Sequence, residues 1–462
     1  MHRPTPVRLA PALLLLLAAP AAAQQQFLEP RGLTRSVDTV VIPGSACGKA
    51  KGAKIDRIRV YACRNGMMLP ICYQIDERDP AGVYCWSSGP KEYRRSDNDN
   101  GGFDGNDELV ILARDAGNRA LPMQLMMVPG AMGHQEIELT DPKDKRKAWI
   151  YLFLFPPALS PGKVNLELVD LRTRAHDDGE KTYYWRGESF LFNNDRSRAN
   201  AVRATYAGFA SPGTRDYTKV PNLIDSTQVR AVVSFMWITL TRQSNDIKVE
   251  IGGIIDGPLR VIAENRLSVY LTLGYWVKAP ASYLVLWRNK MSMPTNASCP
   301  VNLDTSDESS YTLCIDMNKE AKGLKFFNSH NKKPVAVDGK MSAEEQRLDT
   351  TYPDWNCVYG AQGAMISKFV IPDFLRQKEG SKLIYVDDAS YERPEDEEGL
   401  EFQKGAIGYN GYVMDMRGLK KGLYPGDYVV WYAPPGFKPG DEAGYLNEYD
   451  HPVEAKATAV AR

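Results

Sequence analysis

Short apolar and aromatic runs, separated by Gly, Pro, Asn or Asp, recur along the whole chain. In the run RLSVYLTLGYW, Val269 and Leu271 flank Tyr270, and this period of two indicates a half-buried antiparallel strand. Seven runs rich in β-branched and aromatic residues have the composition of strands. They are KIDRIRVYAC, KVNLELVDL, NDIKVEIGGII, PLRVIAENRLSVYLTLGYWV, SYLVLW, KLIYVDD and GDYVVWYAPP. The pattern predicts an all-β protein built of antiparallel β-sandwich domains.

Two short sequence motifs predict local structure, one a hairpin turn and the other the start of a helix. Asn65-Gly66 favours a two-residue hairpin turn, which places Cys63 opposite Met68. Ser342 and Glu345 have the spacing of a capping box, in the best of the few helical patterns.

A polar and Gly-containing segment, residues 172–187, separates two strand-rich halves. We therefore predict an N-terminal β-sandwich domain over residues 24–180 and a larger β-rich domain over residues 186–462. A length of 462 residues is sufficient for two or three ordinary domains.

The first 23 residues have the layout of a secretory signal peptide. Arg3 and Arg8 precede an apolar run, and small residues form an Ala-x-Ala site before Gln24. This predicts a periplasmic or secreted protein, the alternative being a retained N-terminal anchor. Later apolar runs, at 148–159 and 231–240, are shorter than the roughly 20 residues of a membrane helix, so we expect strands there and no membrane span in the mature chain.

The charge balance gives no reason to expect nucleic acid as a partner. Lys plus Arg is 57 and Asp plus Glu is 57. Loss of Arg3 and Arg8 with the signal peptide leaves 55 against 57, a formal charge of −2. A near-neutral chain lacks the basic surface with which proteins bind phosphate backbones.

Seven cysteines are compatible with disulfides in an oxidising compartment. Two bridges among the first four and one among the last three are expected, with the pairing left open. The first four are Cys47, Cys63, Cys72 and Cys85, and the last three are Cys299, Cys314 and Cys357.

The run DNDNGGFDGNDEL, starting at Asp97, resembles a twelve-residue calcium loop. Such a loop uses carboxylates at positions 1, 3 and 5, Gly at 6, a carbonyl at 7 and a bidentate Glu at 12. Position 5 is Gly101 here, so one side-chain ligand of that pattern is lost. The strand-like ELVILARD that follows argues for an isolated loop rather than an EF-hand, and a solvated turn without metal is the alternative. The predicted calcium ligands are Asp97, Asp99, Gly101, Phe103, Asp104 and Glu108.

LPICYQIDERD (69–79) followed by DGNDELVILARDAG (104–117) resembles a pattern in exported bacterial β-sandwich proteins, largely uncharacterised. Some of those proteins are associated with pectin and rhamnogalacturonan degradation. The resemblance covers about 50 residues and implies a mutarotase-like larger domain. Its positions here are Pro70, Gln74, Asp76, Asp104, Asp107 and Glu108.

Three residues are candidates for catalysis on a polysaccharide. His330 lies in a polar run, and histidine is a common general acid or base, although an exposed loop His is the commoner situation. Arg260 and Arg288 supply cations that neutralise a uronate carboxylate.

The favoured hypothesis is an exported, calcium-stabilised β-sandwich protein that binds carbohydrate or another extracellular ligand. A polysaccharide lyase or glycosidase, and a structural or assembly component of the cell envelope, are the alternatives. The chain contains no phosphate loop, dinucleotide fingerprint, nucleophile elbow or HExxH motif, which disfavours nucleotide enzymes and α/β hydrolases.

Overall fold

The computed structural model describes residues 27–86, 91, 94–164, 166–175, 181–194, 204–209, 219–236, 238–272, 274–392 and 405–458. The predicted signal peptide lies outside these residues. Every strand pair in them is antiparallel, and the strands form five sheets, as the period-two patterning predicts. The all-β prediction is therefore confirmed. Among the described residues no helix is long and apolar enough to cross a membrane.

The N-terminal unit is a small sandwich of two sheets. Its three-stranded sheet has the order β1 (Thr39–Pro43), β5 (Glu108–Leu112) and β4 (Tyr73–Asp76). Its five-stranded sheet has the order β27 (Glu454–Thr458), β6 (Gly133–Thr140), β7 (Lys147–Leu154), β2 (Ile58–Arg64) and β3 (Met67–Pro70). One apolar core, with Ile42, Val60 and Ile150 fully or almost fully buried, fills the space between the sheets.

The larger unit is built around a ten-stranded sheet. In order, its strands are β14 (Ile247–Asp256), β15 (Arg260–Thr272), β17 (Ser282–Trp287), β18 (Lys290–Cys299), β26 (Gly422–Ala433), β23 (Gly363–Val370), β22 (Asn356–Gly360), β20 (Lys325–Asn328) and β21 (Val335–Ala336), and β16 (Tyr275–Lys278) pairs with β15. A five-stranded sheet packs on one face through the largest core. Its order is β13 (Ile238–Gln243), β12 (Ile224–Phe235), β19 (Ser310–Met317), β25 (Ala406–Asp415) and β24 (Lys382–Asp388).

A four-stranded sheet completes the described strands, with Trp185 and Phe190 in the largest core. Its order is β11 (Ala204–Phe209), β10 (Phe190–Asn194), β9 (Lys181–Arg186) and β8 (Asp170–Ala175). The predicted boundary at 172–187 coincides with the paired strands β8 and β9. The last strand, β27, pairs with β6, so both ends of the described chain build the N-terminal unit.

In the described part of the chain, helices are few and short. They are α1 (Pro122–Met126), α2 (Asp373–Arg376) and α3 (Glu442–Asp450). Helix α3 covers the second face of the ten-stranded sheet, where Leu446 packs beside Trp431. The predicted capping box forms at a 3₁₀ turn: the Ser342 amide donates to Glu345 Oε2 (2.6 Å) and the Glu345 amide donates to Ser342 Oγ (3.3 Å).

The Asn65-Gly66 hairpin is confirmed, and it sets the residue that lies opposite Cys63. Both turn residues have positive φ, 51° and 77°, as a type I′ turn requires, and Cys63 pairs with Met68. All seven cysteines are free thiols, in contrast to the expected bridges. Cys63 lies beneath α1 while Cys72 lies between the two units, so these two thiols belong to different cores.

Of the seven predicted strands, the run 163–171 is the clear exception, since only its last two residues enter a strand. The segment before Asp170 connects the two units. The Leu168 amide donates to the carbonyl of Pro258 (3.1 Å) in the larger unit, and Lys163 lies 5.5 Å from the Tyr73 ring centroid in the smaller one. These long-range contacts replace a strand ladder.

Candidate functional site

The two units meet at a buried charge cluster centred on Arg260. The side chain of Arg260 is 3% exposed, and its Nε donates to Asp76 Oδ2 at 2.7 Å. Its Nη2 donates to Glu108 Oε2. The guanidinium also lies 5.0 Å from the Trp287 ring centroid. Two acids of the N-terminal unit thus compensate one cation of the larger sheet.

Gln74 fixes the backbone around this cluster. Its Oε1 accepts hydrogen bonds from the amides of Leu259 and Arg260, both at 3.1 Å, and its Nε2 donates to Asp76 Oδ1 at 2.8 Å. Gln74 and Asp76 lie two residues apart on β4, so both side chains point to the same face. The resemblance positions Gln74, Asp76 and Glu108 therefore converge on one structural joint.

A second arginine extends the cluster toward solvent. Arg78 Nη1 donates to Glu108 Oε1 at 2.9 Å, and Tyr84 OH donates to Glu108 Oε2 at 2.9 Å. Burial opposes ionisation of Glu108, but Arg260 and Arg78 outweigh it and hold its pKa below the ordinary value. Glu108 is therefore a carboxylate with its hydrogen-bonding capacity occupied by protein groups.

Arg78 and Tyr84 form one wall of a cleft on the second face of the ten-stranded sheet. The cleft has a volume of about 730 Å³. Tyr449 of α3 stands among its other walls, and strands β17, β18 and β26 contribute its floor. Its polar and aromatic lining residues are Arg78, Tyr84, Tyr283, Thr295, Asn296, Asp373, Asp427 and Tyr449.

Asp427, a carboxyl of this lining, has a raised pKa. Burial is the main cause, and it outweighs the hydrogen bonds from Ser292 and Tyr449 and the charge of Lys290. Ser292 Oγ lies 3.0 and 3.1 Å from the two carboxyl oxygens. A carboxyl in a cleft with a raised pKa is able to donate a proton at a higher pH than an ordinary aspartate.

Three acids of the N-terminal unit form a candidate cation centre. One oxygen from each of Glu77, Asp97 and Asp99 lies within 4.8 Å of the others. Asp97 Oδ2 is buried and has no hydrogen-bond partner among the described residues. Burial first, and then the neighbouring carboxylates, raise the pKa of Glu77, and burial likewise raises that of Asp97.

This centre differs from the predicted twelve-residue loop. Glu108, the expected bidentate ligand, is committed to the two arginines, and Glu77 from the end of β4 occupies the cluster instead. The Asp104 carboxylate accepts the Asn106 amide at 3.0 Å within the loop. The other two predicted positions have backbone roles: the Gly101 carbonyl accepts the Ile55 amide (3.0 Å), and the Phe103 carbonyl accepts the Gly52 amide (2.7 Å).

The acidic loop also holds the cleft wall. The Arg78 amide donates to Asp107 Oδ1 at 3.0 Å, and Asn106 Nδ2 donates to the carbonyls of Arg78 (3.1 Å) and Asp79 (2.6 Å). Arg78 directly follows Glu77 in sequence, so the candidate cation centre and the cleft share one backbone segment. The loop therefore holds the backbone of Arg78 through its amide and its carbonyl.

The three predicted catalytic residues do not share a site. His330 is exposed in a loop, where a ring nitrogen lies 3.2 Å from the carbonyl of Tyr352. Arg288 is buried, pairs with Glu188 at 2.5 Å and donates to the carbonyl of Ser36 at 3.0 Å. Arg288 thus anchors the N-terminal segment, whereas the Arg260 side chain forms ion pairs in the buried cluster.

The residues predicted for the site did not include Glu77, Asp427 or Tyr449. Asp427 belongs to GDYVVWYAPP and lies within β26, just before the fully buried part of that strand, and nothing local distinguishes it from a turn residue. Glu77 follows Asp76 directly and forms an adjacent pair of acids in the sequence, but only the fold brings it to Asp97.

No protein-family model matches the chain, and the search of curated proteins gave no match. Among solved structures, the chain is similar to an alpha-mannosidase from Enterococcus faecalis V583, with 9% identity and a TM-score of 0.37 over 91% of this chain and 47% of the other. It is also similar to a glycosyl hydrolase family 38 protein from Enterococcus faecalis, with 8% identity and a TM-score of 0.37 over 92% and 46%. The chain spans about half the length of either protein. Similarity at this level does not identify a shared site.

Proposed function

We propose that this is an exported, calcium-stabilised β-sandwich protein that binds carbohydrate in the cleft between its two units. The observation that carries the proposal is the lining of the cleft, which combines tyrosine rings with charged and amide groups. Its volume, about 730 Å³, falls in the range of small-ligand pockets.

The chemistry of a sugar suits this lining. A pyranose ring has C–H faces that pack on aromatic rings, and hydroxyls that donate to carboxylates and accept from guanidinium and amide groups. Tyr283 and Tyr449 are only partly buried, and Asp427 and Arg78 bring charges of both signs to the same space. Both recognition modes are therefore available together.

The binding test uses the mature protein and a panel of neutral and acidic oligosaccharides, with affinity measured by calorimetry. Asp427→Ala should weaken the best ligand at least tenfold, because hydrogen bonds to a charged group contribute about 1.5–3 kcal/mol. Tyr449→Phe should weaken it less. Tyr275→Phe, at a tyrosine that is 67% exposed outside the cleft, is the matched control. Unchanged affinity in both cleft variants would contradict the proposal.

Calcium enters the proposal through the three-acid centre. Ca²⁺ takes hard oxygen ligands, and Glu77, Asp97 and Asp99 offer carboxylate oxygens close together. The unpartnered Asp97 Oδ2 is an oxygen available for ligation. A bound cation would relieve the repulsion among these acids and order the segment that carries Arg78. Calcium added to chelated protein should therefore raise the free energy of unfolding.

The raised pKa of Asp427 favours a second candidate, a glycoside hydrolase. In that reaction Asp427 would protonate the leaving glycosidic oxygen while water attacks the anomeric carbon and loses a proton to a second carboxylate. Asp373 is the other carboxyl of the cleft lining. Asp427→Asn should then abolish turnover of a bound oligosaccharide while keeping its affinity within about tenfold. Release of reducing ends that persists in this variant would exclude Asp427 as the acid.

A further inference from the structure

Methionine is concentrated in one short stretch of the N-terminal unit. The run LPMQLMMVPGAM, residues 121–132, contains four of the 15 methionines in the 462-residue chain. The run comprises α1 and the loop that leads to β6. It plays no part in the cleft or in the three-acid centre.

All four of these methionines face solvent. The exposed fractions are 61% for Met123, 79% for Met126, 73% for Met127 and 67% for Met132. Large apolar side chains usually point inward, and Leu125 in the same run is buried at 3% exposure. The fold therefore buries the leucine and leaves the thioethers accessible.

A fixed scaffold presents them. Gln124 is buried; its Oε1 accepts the Leu121 amide at 2.7 Å, and its Nε2 donates to the carbonyl of Gly66 at 2.8 Å. Leu125 and Val128 pack into the core beneath α1. Because Gln124, Leu125 and Val128 hold the backbone of this run in place, less conformational entropy is lost when the methionines between them bind a ligand.

The spacing brings three sulfur side chains to one region. Met123 and Met126 are three residues apart in a helical turn, so they lie on the same face. Met127 follows directly at the end of the turn. Unbranched methionine side chains have enough freedom to converge on one ion.

We propose that Met123, Met126 and Met127 bind a soft monovalent cation, Cu(I), through their thioether sulfurs. Thioethers are soft ligands that select Cu(I) over hard ions such as Ca²⁺ and Mg²⁺. An apolar docking surface can be built from Leu, Ile or Met, whereas Cu(I) ligation by this run requires the sulfurs. What favours the metal is that three exposed methionines lie within one helical turn, beside a leucine that is buried.

The test is an anaerobic titration of the mature protein with Cu(I) against a chromophoric competing ligand, repeated with Ag(I) as a soft ion that does not change oxidation state. The key variant carries Met123→Leu, Met126→Leu and Met127→Leu, which removes the sulfurs and keeps the apolar volume. The matched control carries Met67→Leu and Met236→Leu, at methionines that are 57% and 64% exposed outside the run.

We expect one Cu(I) bound by the wild type and by the control, and an affinity at least tenfold lower in the triple variant. The thermal midpoint of the triple variant should match that of the wild type, because the substitutions are exposed and similar in size. Equal Cu(I) affinity in the triple variant and the wild type would overturn the proposal, as would an equal loss in the control. Binding that Ca²⁺ displaces would also overturn it, since thioethers do not compete for hard ions.

Discussion

The stretch from Asp97 to Glu108 supplies acids to two clusters. In one cluster arginines neutralise the acid, and in the other the acids face one another. Glu108 enters the joint between the units, where Arg78 and Arg260 surround it. Asp97 and Asp99 instead meet Glu77, and no cation is among the groups that perturb the pKa of Glu77. The pKa of Glu108 is lowered and that of Glu77 is raised.

The difference shows that a local acidic pattern does not determine what an acid does. The joint has its cation from a strand about 150 positions away, and it is complete without any ligand. The three-acid cluster leaves a buried oxygen of Asp97 without a partner among the described residues. A completed cluster contributes to folding, whereas an uncompensated one gains stability when a cation binds.

Removing the cation of the completed joint should have the largest effect. Arg260→Met leaves Asp76 and Glu108 buried without their main partner, and breaking a buried pair in this way costs about 3–5 kcal/mol. Denaturant unfolding measures the loss. The control is Arg64→Met, because Arg64 pairs with Asp115 at 3.3 Å on the surface and its side chain is 36% exposed. Such pairs contribute less than about 1 kcal/mol. Equal losses in the two variants would show that the joint is not a stabilising unit.

The sequence predicts the parts of this comparison that depend on local pattern. Alternating apolar residues identify β15, and Asn65-Gly66 fixes the register of β2 and β3, since turn type sets the pairing of the adjoining residues. The resemblance also selects Gln74, Asp76 and Glu108, which the fold brings together.

The cleft and the acid assignments depend on contacts that are distant in sequence. Arg78 and Asp427 line the same cleft although about three quarters of the chain length separates them. Glu108 fits position 12 of a calcium loop by spacing, but its side chain follows the face of β5, which turns it toward Arg260. Patterns with a period of two predict which face a residue occupies but not which strand will lie opposite.

The uncompensated cluster should respond to calcium. At a free concentration of 100 times its dissociation constant, an ion that binds only the folded state adds about 2.7 kcal/mol to the free energy of unfolding. Asp99→Asn should abolish this gain, and Asp144→Asn, at a surface acid outside the cluster, should retain it. Thermal unfolding after chelation, with Ca²⁺ or Mg²⁺ restored, measures the effect. A gain that survives in Asp99→Asn would place the ion elsewhere.

The smallest change in the free energy of unfolding is expected for Asp97→Asn in the metal-free protein. Its sign is opposite to the change expected for the calcium-bound protein. Because the folded-state pKa of Asp97 is raised above the ordinary 3.8, its contribution to stability is present at low pH and is lost as pH rises through the folded pKa. At pH 7 the substitution should therefore stabilise the metal-free protein by less than about 1 kcal/mol, since the group is partly exposed and screened. The gain should shrink as pH is lowered toward 4, because wild-type Asp97 then takes up a proton. With calcium bound, the same substitution should destabilise, because it removes a ligand. If Asp97→Asn stabilises the protein both without and with calcium, the three acids do repel one another. In that case Asp97 is not a calcium ligand.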